Sequence, residues 1–248
     1  ASEVMAVLAL ADGLEDLRTR LGRLVVGFST DKTPITASDI GAVGSMLALL
    51  RRALEPNLVQ TNEGNPAILH AGPFGNIAHG CSSVIADRLA LSMADFVITE
   101  AGFGADLGFE KFINIKCRES GLTPSAAVVV ATVRALKWHG GVPKKELEIE
   151  NLSALEAGSS NLEHALKIVR NTGLPAVVAI NRFPTDTPEE ITLLKKLAET
   201  YGAMTAVESF AFADGGNGAT ELAEAVNSAT KTQSQVRYAY DSGASLQE

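Results

Sequence analysis

Cysteines, aromatic residues and several familiar catalytic signatures are scarce or missing in this sequence. Two of the 248 residues are cysteines, Cys81 and Cys117, and they form neither a CxxC pair nor a Cys/His pattern with metal-ligand spacing. This excludes a disulfide framework and predicts two inert core thiols in a cytoplasmic protein. The motifs GxxxxGK(S/T), GxSxG and HExxH do not occur either. The chain therefore contains no Walker-type phosphate loop, serine-hydrolase elbow or zincin site.

Positive charge is also in deficit, and long apolar runs are missing. Lys and Arg number 21 against 29 Asp and Glu, for a formal net charge of -8. That balance disfavours a nucleic-acid surface, and no apolar run approaches the roughly 20 residues that span a bilayer. Neither nucleic acid nor a membrane is therefore an expected partner. With 46% apolar residues, the chain is long enough to bury a sizeable core.

Short apolar runs alternate with segments of helical periodicity. The runs, which predict strands, are 24–28, 67–69, 96–99, 126–132, 176–181 and 204–207. The segments near a 3.6-residue period, which predict helices, are 37–54, 81–93, 146–170, 189–201 and 221–229. Runs that are apolar on both faces are typical of parallel strands. The alternation predicts one α/β domain over residues 1–248, with a doubly wound, mostly parallel sheet and helices on both faces.

Local signals refine these boundaries. Thr36 or Ser38 is predicted to cap the helix that follows, and residues 187–190 to begin another with a cap, a proline and two acids. The excursion at 30–34 predicts a hairpin rather than a linker. A helix already under way at residue 1 and a strand beginning near residue 236 predict a chain truncated at both ends.

Open parallel sheets bind ligands at the carboxyl ends of their strands, and four predicted strand ends are rich in glycine, proline and polar side chains. The first is HAGPFGNIAHG at 70–80, where Asn76 and His79 lie about one helical turn apart. A shared ligand and a simple glycine-rich connection with satisfied histidines both fit this composition. A third ligand at suitable spacing is missing, so no metal site is predicted.

The second strand end is TEAGFGADLGFEKF at 99–112. Its glycines allow successive amide groups to turn toward an anion, and Glu100, Asp106, Glu110 and Lys111 place charge beside them. The glycine spacing departs from GxGxxG by one residue, which argues against a dinucleotide-binding loop.

Cations and aromatic rings mark the other two strand ends. Arg134, Lys137 and His139 lie within ATVRALKWHGGVP at 131–143 and suit phosphate or carboxylate, although solvated surface cations are the alternative, favoured for Lys137. Phe183 follows the clearest buried strand, and Phe212 precedes a Gly-Gly pair. Both suit stacking on a flat heterocycle, with core packing as the alternative.

Together with AINRFPTDT at 179–187, these motifs resemble the bacterial and archaeal formate–tetrahydrofolate ligase family in order, spacing and intervening sequence. The resemblance covers nearly the whole chain. It implies a P-loop-NTPase-like core without its P-loop. It also implies that ATP, as its Mg complex, phosphorylates formate and that tetrahydrofolate attacks the formyl phosphate to give 10-formyltetrahydrofolate.

The resemblance also implies residue roles. The glycine-rich turn would contact formyl phosphate, and the residues assigned to catalysis there are Glu100, Gly102, Phe103, Gly104 and Asp106. The residues assigned to the folate side are Phe183, Pro184 and Phe212. The residues assigned to the anion and nucleotide neighbourhood are Pro73, Asn76, His79, Arg134 and Asn181. No metal ligand is assigned.

Three positions depart from the family pattern. Phe212 stands where Trp is common, and Gly75 and Phe109 stand where Ala is usual. Phenylalanine stacks with less area than tryptophan and lacks the indole N–H, which predicts weaker binding of the pterin at this position.

The family places its phosphate loop and a formyl-phosphate arginine in a segment upstream of these motifs, so the chain alone is predicted to lack ligase activity. The alternatives are a non-catalytic folate-binding or assembly module and, less favoured, a nucleotide-dependent dehydrogenase. The resemblance further implies a homotetramer and activation by a monovalent cation, whose site the sequence does not locate.

Overall fold

The computed structural model describes residues 2–71, 79, 81–245 and 247. They form two compact units that divide between Leu122 and Thr123. The single-domain organisation expected from the sequence stays a prediction, and each unit is described by itself.

The second unit contains three parallel strands, β5 (Ala127–Ala131), β6 (Ala176–Asn181) and β7 (Thr205–Ser209). They form one sheet in the order β5-β6-β7. The register pairs Val129 with Val178 and Val178 with Ala206. Its helices are α6 (Val133–His139), α7 (Leu152–Gly158), α8 (Ser160–Asn171), α9 (Pro188–Thr200), α10 (Ala211–Asp214) and α11 (Thr220–Thr230). The predicted α/β architecture with a parallel sheet flanked by helices is therefore confirmed.

Strand β6 forms the centre of the core of this unit. Its residues 176–180 are all buried, and α8 and α11 pack against it. Helix α9 begins with a full capping box, in which Thr187 accepts from the Glu190 amide and Glu190 accepts from the Thr187 amide. Both the strand and this cap follow the sequence prediction.

Helices α6 and α7 approach so closely that two glycines lie at the contact. A Cβ atom on Gly140 would lie 1.9 Å from the Ala154 carbonyl oxygen, and one on Gly158 would lie 1.9 Å from the Leu136 carbonyl oxygen. Only glycine permits this backbone contact. The predicted single helix over 146–170 is wrong, because the structure has two helices there, α7 and α8, separated at Ser159.

The first unit has helices and two antiparallel hairpins. Its helices are α1 (Ser2–Leu10), α2 (Leu14–Gly22), α3 (Val43–Leu50), α4 (Val84–Met93) and α5 (Arg118–Ser120). Its strands are β1 (Val25–Phe28), β2 (Pro34–Thr36), β3 (Asn57–Gln60) and β4 (Pro66–Leu69). Leu8, Ala11, Leu17, Leu21 and Leu47 form its main apolar cluster.

Three strand predictions in this unit need correction. Strands β1 and β4 exist but pair antiparallel with β2 and β3, so they are not strands of a parallel sheet. Residues 96–99 form no strand, and Ile98 is 92% exposed. The hairpin predicted at 30–34 is confirmed, with Lys32 at φ 67 in its turn. Short apolar runs do not distinguish hairpin strands from buried parallel strands, because partner and direction depend on the turn that follows.

The predicted cap of the third helix is also wrong. Helix α3 starts at Val43 without a side-chain cap, because Thr36 instead closes a turn with Asp39, whose carboxylate accepts from the Thr36 amide and hydroxyl at 2.8 Å each. Residues 236–240 likewise form no strand. Among the described residues, no helix is long and apolar enough to cross a membrane.

Candidate functional site

The carboxyl edge of the parallel sheet brings together two residues that the sequence assigned to different roles. Arg134 follows β5, on the first turn of α6, which Thr132 caps by accepting from the Ala135 amide at 3.0 Å. Phe183 follows β6. The guanidinium carbon of Arg134 lies 4.2 Å from the centroid of the Phe183 ring. A cation and a half-buried aromatic ring therefore form one stacked element at this edge.

Polar contacts fix the loop that carries Phe183. The Phe183 amide donates to the Asp186 carboxylate at 2.9 Å, and the Asp186 amide donates back to the Phe183 carbonyl at 3.1 Å. Arg134 donates through one nitrogen to the Thr185 hydroxyl at 3.1 Å. Burial raises the pKa of Asp186, with opposing contributions from the Phe183 amide and Arg182. Hydrogen bonds between residues 183 and 186 therefore close this loop, and Arg134 links it to α6.

Asn181, Pro184 and Phe212 lie on the same edge of the sheet. Asn181 ends β6 and pairs with Ser209 of β7, and Pro184 is exposed beside Phe183. Phe212 lies on the short helix α10 after β7 and is 97% exposed. Core packing is therefore wrong for Phe212, and its ring is available to a ligand.

Lys137 is the largest departure from the sequence interpretation, which favoured a solvated surface cation. Its ammonium group is buried and donates to the Glu190 carboxylate at 2.7 Å and to the Ile149 carbonyl at 3.0 Å. Glu190 also accepts from the Asn151 amide at 3.0 Å. The surface interpretation is wrong because the charge has an internal partner 53 positions away.

The remaining cation of this motif, His139, lies in an open groove with Arg134, Trp138 and Lys144. The Lys144 ammonium lies 5.5 Å from the centroid of the Trp138 ring. Glu148 pairs with Arg134 at 3.0 Å, so part of the positive charge of this groove is offset from within the chain.

In the first unit, the glycine-rich segment forms a tight turn that does not follow a strand. The Gly104 amide donates to the Gly102 carbonyl at 3.0 Å, and Phe103 between them has φ 72. Those are features of the strained classic γ-turn, and strain of this kind often persists at functional positions. The Phe103 side chain is 80% exposed.

The same turn explains the irregular glycine spacing. A Cβ atom on Gly108 would lie 2.0 Å from the carbonyl oxygen and 2.3 Å from the nitrogen of Gly102. The backbone at 108 therefore packs directly on the backbone at 102. Gly108 itself lies in the first π-helical turn, Ala105–Phe109, a feature that often occurs at functional sites.

The side chains around this turn separate into exposed and buried groups. Glu100 and Asp106 are exposed, whereas Phe109 is buried in the first unit. Glu110 accepts from the Asn114 side-chain amide at 2.6 Å. Among the described residues, no three His, Cys, Asp or Glu side chains group closely enough to hold a metal ion.

The first glycine-rich loop is described only at its ends, because Pro73, Gly75 and Asn76 lie outside the described residues. His70 has two partners, with Nδ1 2.5 Å from the Ser83 hydroxyl and Nε2 2.7 Å from the Ala53 carbonyl oxygen. A satisfied histidine is therefore the correct interpretation of His70.

His79 is fully buried beside a buried ion pair. Lys116 lies 2.5 Å from the carboxylate of Asp87. Desolvation lowers the pKa of His79 to about 4, and the positive charges of Lys116 and Lys111 add to this effect. Among the described residues, neither ring nitrogen of His79 has a hydrogen-bond partner. The imidazole is accordingly neutral near pH 7. Cys81 and Cys117 are buried, which confirms their predicted core location. Burial also raises the pKa of Cys81 to about 11 and that of Cys117 to about 12, which disfavours their reactive thiolate forms.

Stability of the chain is expected to fall as pH drops from 7 to 5, in part through His79. Unfolded histidine binds a proton near pH 6.5, whereas buried His79 does so only near pH 4. Between pH 6.5 and pH 4, the unfolded state therefore binds more protons than the folded state. Protonation of His79 in the unfolded chain lowers the free energy of unfolding by about 2 kcal/mol at pH 5. Urea titrations at both pH values measure this effect.

The variant His79→Leu should remove about that amount of pH dependence, whereas His164→Leu on α8, on the surface of the second unit, serves as the matched control. An equal pH dependence in His79→Leu and the unmodified chain would contradict the prediction.

Comparison with known proteins is consistent with the resemblance seen in the motifs. The family model of formate–tetrahydrofolate ligase matches residues 1–248. A formate–tetrahydrofolate ligase of Methylorubrum populi is 56% identical over 247 residues, covering 99% of this chain and 44% of that protein. One from Symbiobacterium thermophilum is also 56% identical over 247 residues, with the same coverage.

A third relative extends the same pattern. The formate–tetrahydrofolate ligase of Paracoccus denitrificans is 58% identical over 226 residues, covering 91% of this chain and 40% of that protein. The chain thus spans less than half the length of these curated relatives. Because the family model matches it from end to end, the chain belongs to the formate–tetrahydrofolate ligase family.

Proposed function

We propose that this chain is part of an ATP-dependent ligase that joins formate to tetrahydrofolate, giving 10-formyltetrahydrofolate, ADP and phosphate through formyl phosphate. Formate is a poor acyl donor, and its phosphorylation supplies the leaving group that tetrahydrofolate displaces. Such a reaction needs an anion cradle, fixed cations and a flat aromatic slot.

The stack of Arg134 on Phe183 is the observation that supports the folate assignment. A partly exposed ring at the carboxyl edge of a parallel sheet suits a flat heterocycle, and the closed loop below it holds the ring in place. In this proposal, Phe183 and Pro184 form one wall for the pterin and exposed Phe212 contributes from the neighbouring strand end. Asn181 lies at the base of the same edge.

The glycine turn is proposed to hold formyl phosphate. The turn of Gly102, Phe103 and Gly104 would contact the anion through its backbone, since the strained φ of Phe103 is retained in a tightly packed turn. The Gly104 amide closes this turn on the Gly102 carbonyl and so shapes it rather than donating to the anion. Exposed Glu100 and Asp106 would contact the reacting groups or their solvent. Pro73, Asn76 and His79 of the first unit are proposed to contribute to binding of the anion and nucleotide. For the second unit, the family resemblance assigns Arg134 to the same neighbourhood.

ATP would enter as its Mg complex, with the metal as part of the substrate, and a monovalent cation could support the whole enzyme. The whole protein is proposed to be a cytoplasmic homo-oligomer, a tetramer in the family. Since the 248 residues contain no GxxxxGK(S/T) motif, we propose that this chain binds folate but does not turn over alone.

A non-catalytic folate-binding or assembly module remains the second candidate. It is favoured by the same missing motif, since a chain without a phosphate loop can keep its folate wall. The two candidates differ in one expected outcome. Supplying a family segment that carries a phosphate loop should restore turnover only if the chain is part of a ligase.

Two measurements on the purified chain test these assignments. No ATP- and formate-dependent 10-formyltetrahydrofolate is expected, whereas calorimetric titration with tetrahydrofolate should detect binding. Phe183→Leu should weaken that binding about 5- to 10-fold through lost stacking. The control is Phe28→Leu in hairpin β1-β2, a phenylalanine that is 68% exposed and lies outside the proposed folate wall.

Each assignment has its own contradicting result. Turnover by the unsupplemented chain would overturn the proposed inactivity. Unchanged folate affinity in Phe183→Leu would overturn the folate wall, and equal losses in Phe183→Leu and Phe28→Leu would show that the effect is not local.

A further inference from the structure

The geometry points to Arg134 as a positioning residue that acts through Phe183: its guanidinium covers one face of the ring and so presents the other face to the folate heterocycle. This inference rests on the proposed folate site. It differs from a direct contact between Arg134 and a substrate anion, because the arginine would act on the ligand only by way of the ring.

Distance and shape support the stack. The guanidinium carbon lies 4.2 Å from the ring centroid, close enough for a planar cation to lie over the ring. Arginine stacks in this way because its charge is spread over a flat group, whereas lysine carries a compact charge on a flexible stem. Phe183 itself is only half-buried, so the surrounding protein does not enclose its ring.

Two contacts hold the guanidinium in that place. One of its nitrogens, Nη2, donates to the Thr185 hydroxyl at 3.1 Å and to the Glu148 carboxylate at 3.0 Å. Thr185 lies two residues after Phe183 in the same loop. The arginine therefore contacts both the ring and a side chain of the loop that carries it, which a free surface cation would not do.

A second link fixes the helix that carries Arg134. Lys137 lies one turn further along α6 and is joined to Glu190, on the first turn of α9. The loop with Phe183 ends at the Thr187 cap of that same helix. Both partners of the stack therefore belong to one set of connected segments, α6, the loop and α9.

Glu148 is the exposed member of the arrangement. Its side chain is 65% exposed, against 30% for Arg134, so its ion pair is weak and its loss leaves Thr185 and the ring as partners of the arginine. Removing Glu148 should then change folate affinity by less than about twofold.

A double-mutant cycle tests the inference, with calorimetric titration of tetrahydrofolate against the purified chain. Arg134→Met should weaken binding about fivefold in the unmodified chain, but less than about twofold in a Phe183→Leu background, because the ring through which it acts is gone. Arg134→Lys should recover only part of the affinity. Arg170→Met is the matched control, since Arg170 contacts Tyr201 ahead of β7, at the opposite edge of the sheet.

The outcomes distinguish failure of the positioning role of Arg134 from failure of the folate site itself. Additive losses from Arg134→Met and Phe183→Leu, or full recovery with Arg134→Lys, would overturn the positioning role and leave the folate site intact. Failure of the unmodified chain to bind tetrahydrofolate would overturn the folate site itself, together with the inference that rests on it. Circular dichroism of each variant ensures that affinities are compared between folded proteins.

Discussion

Replacing Lys137 with methionine is expected to lower the free energy of unfolding by about 3–5 kcal/mol, because it leaves the carboxylate of Glu190 buried without its cation. Two backbone amides, of Asn151 and Thr187, still donate to that carboxylate, but neither supplies a charge. The loss also removes the ion pair that joins α6 to α9, the two helices that flank the candidate folate site. Urea unfolding at pH 7, followed by the fluorescence of adjacent Trp138, the single tryptophan of the chain, measures it.

The matched control is Lys195→Met, which removes an ion pair from the same helix α9. Lys195 lies 2.6 Å from Glu208, but its side chain is 38% exposed, so its removal should cost less than about 1 kcal/mol. The double variant Lys137→Met/Glu190→Gln should recover part of the stability, because no buried charge remains unpaired. Equal losses for the two lysines would show that the buried pair does not stabilise the fold.

The second unit was largely predictable from sequence because its signals are local. Strand β6 is apolar over five consecutive residues and is buried throughout, and the Thr187–Glu190 pattern forms the capping box that it predicts. Phe183 and Arg134 were each placed at a strand end. Their mutual contact was not predicted, because it joins residues 49 positions apart and depends on β5 lying beside β6.

The first unit was harder to predict because its strand pairing and its buried charges depend on contacts that local sequence signals do not reveal. The runs at 24–28 and 67–69 are apolar enough for strands, but their partners are set by hairpin turns at Lys32 and Gly64, not by composition. Buried charges were missed entirely. Charged residues are usually exposed, so a sequence alone predicts a surface position for them unless their distant partner is known. The two buried pairs here are Lys116 with Asp87 and Lys137 with Glu190.

Replacing Gly108 with alanine is expected to open the candidate formyl-phosphate turn and to destabilise the first unit by about 2 kcal/mol or more. The new methyl group would overlap the backbone of Gly102, which cannot move aside like a flexible side chain. Either the backbones at 102 and 108 move apart, which loosens the turn at 102–104, or the π-helical segment at 105–109 shifts as a whole. Labelling of Cys81 and Cys117 by a thiol reagent reports the opening, since both are buried in this unit.

The labelling rate should rise roughly 30-fold in Gly108→Ala, the factor that about 2 kcal/mol implies at equilibrium between closed and open forms. Gly44→Ala on α3 is the matched control, because an added Cβ there meets no atom within 4 Å and alanine favours the helix by up to about 1 kcal/mol. It should therefore label no faster than the unmodified chain. If Gly108→Ala also labelled at the unmodified rate, the backbone contact between 102 and 108 would not be what closes the turn.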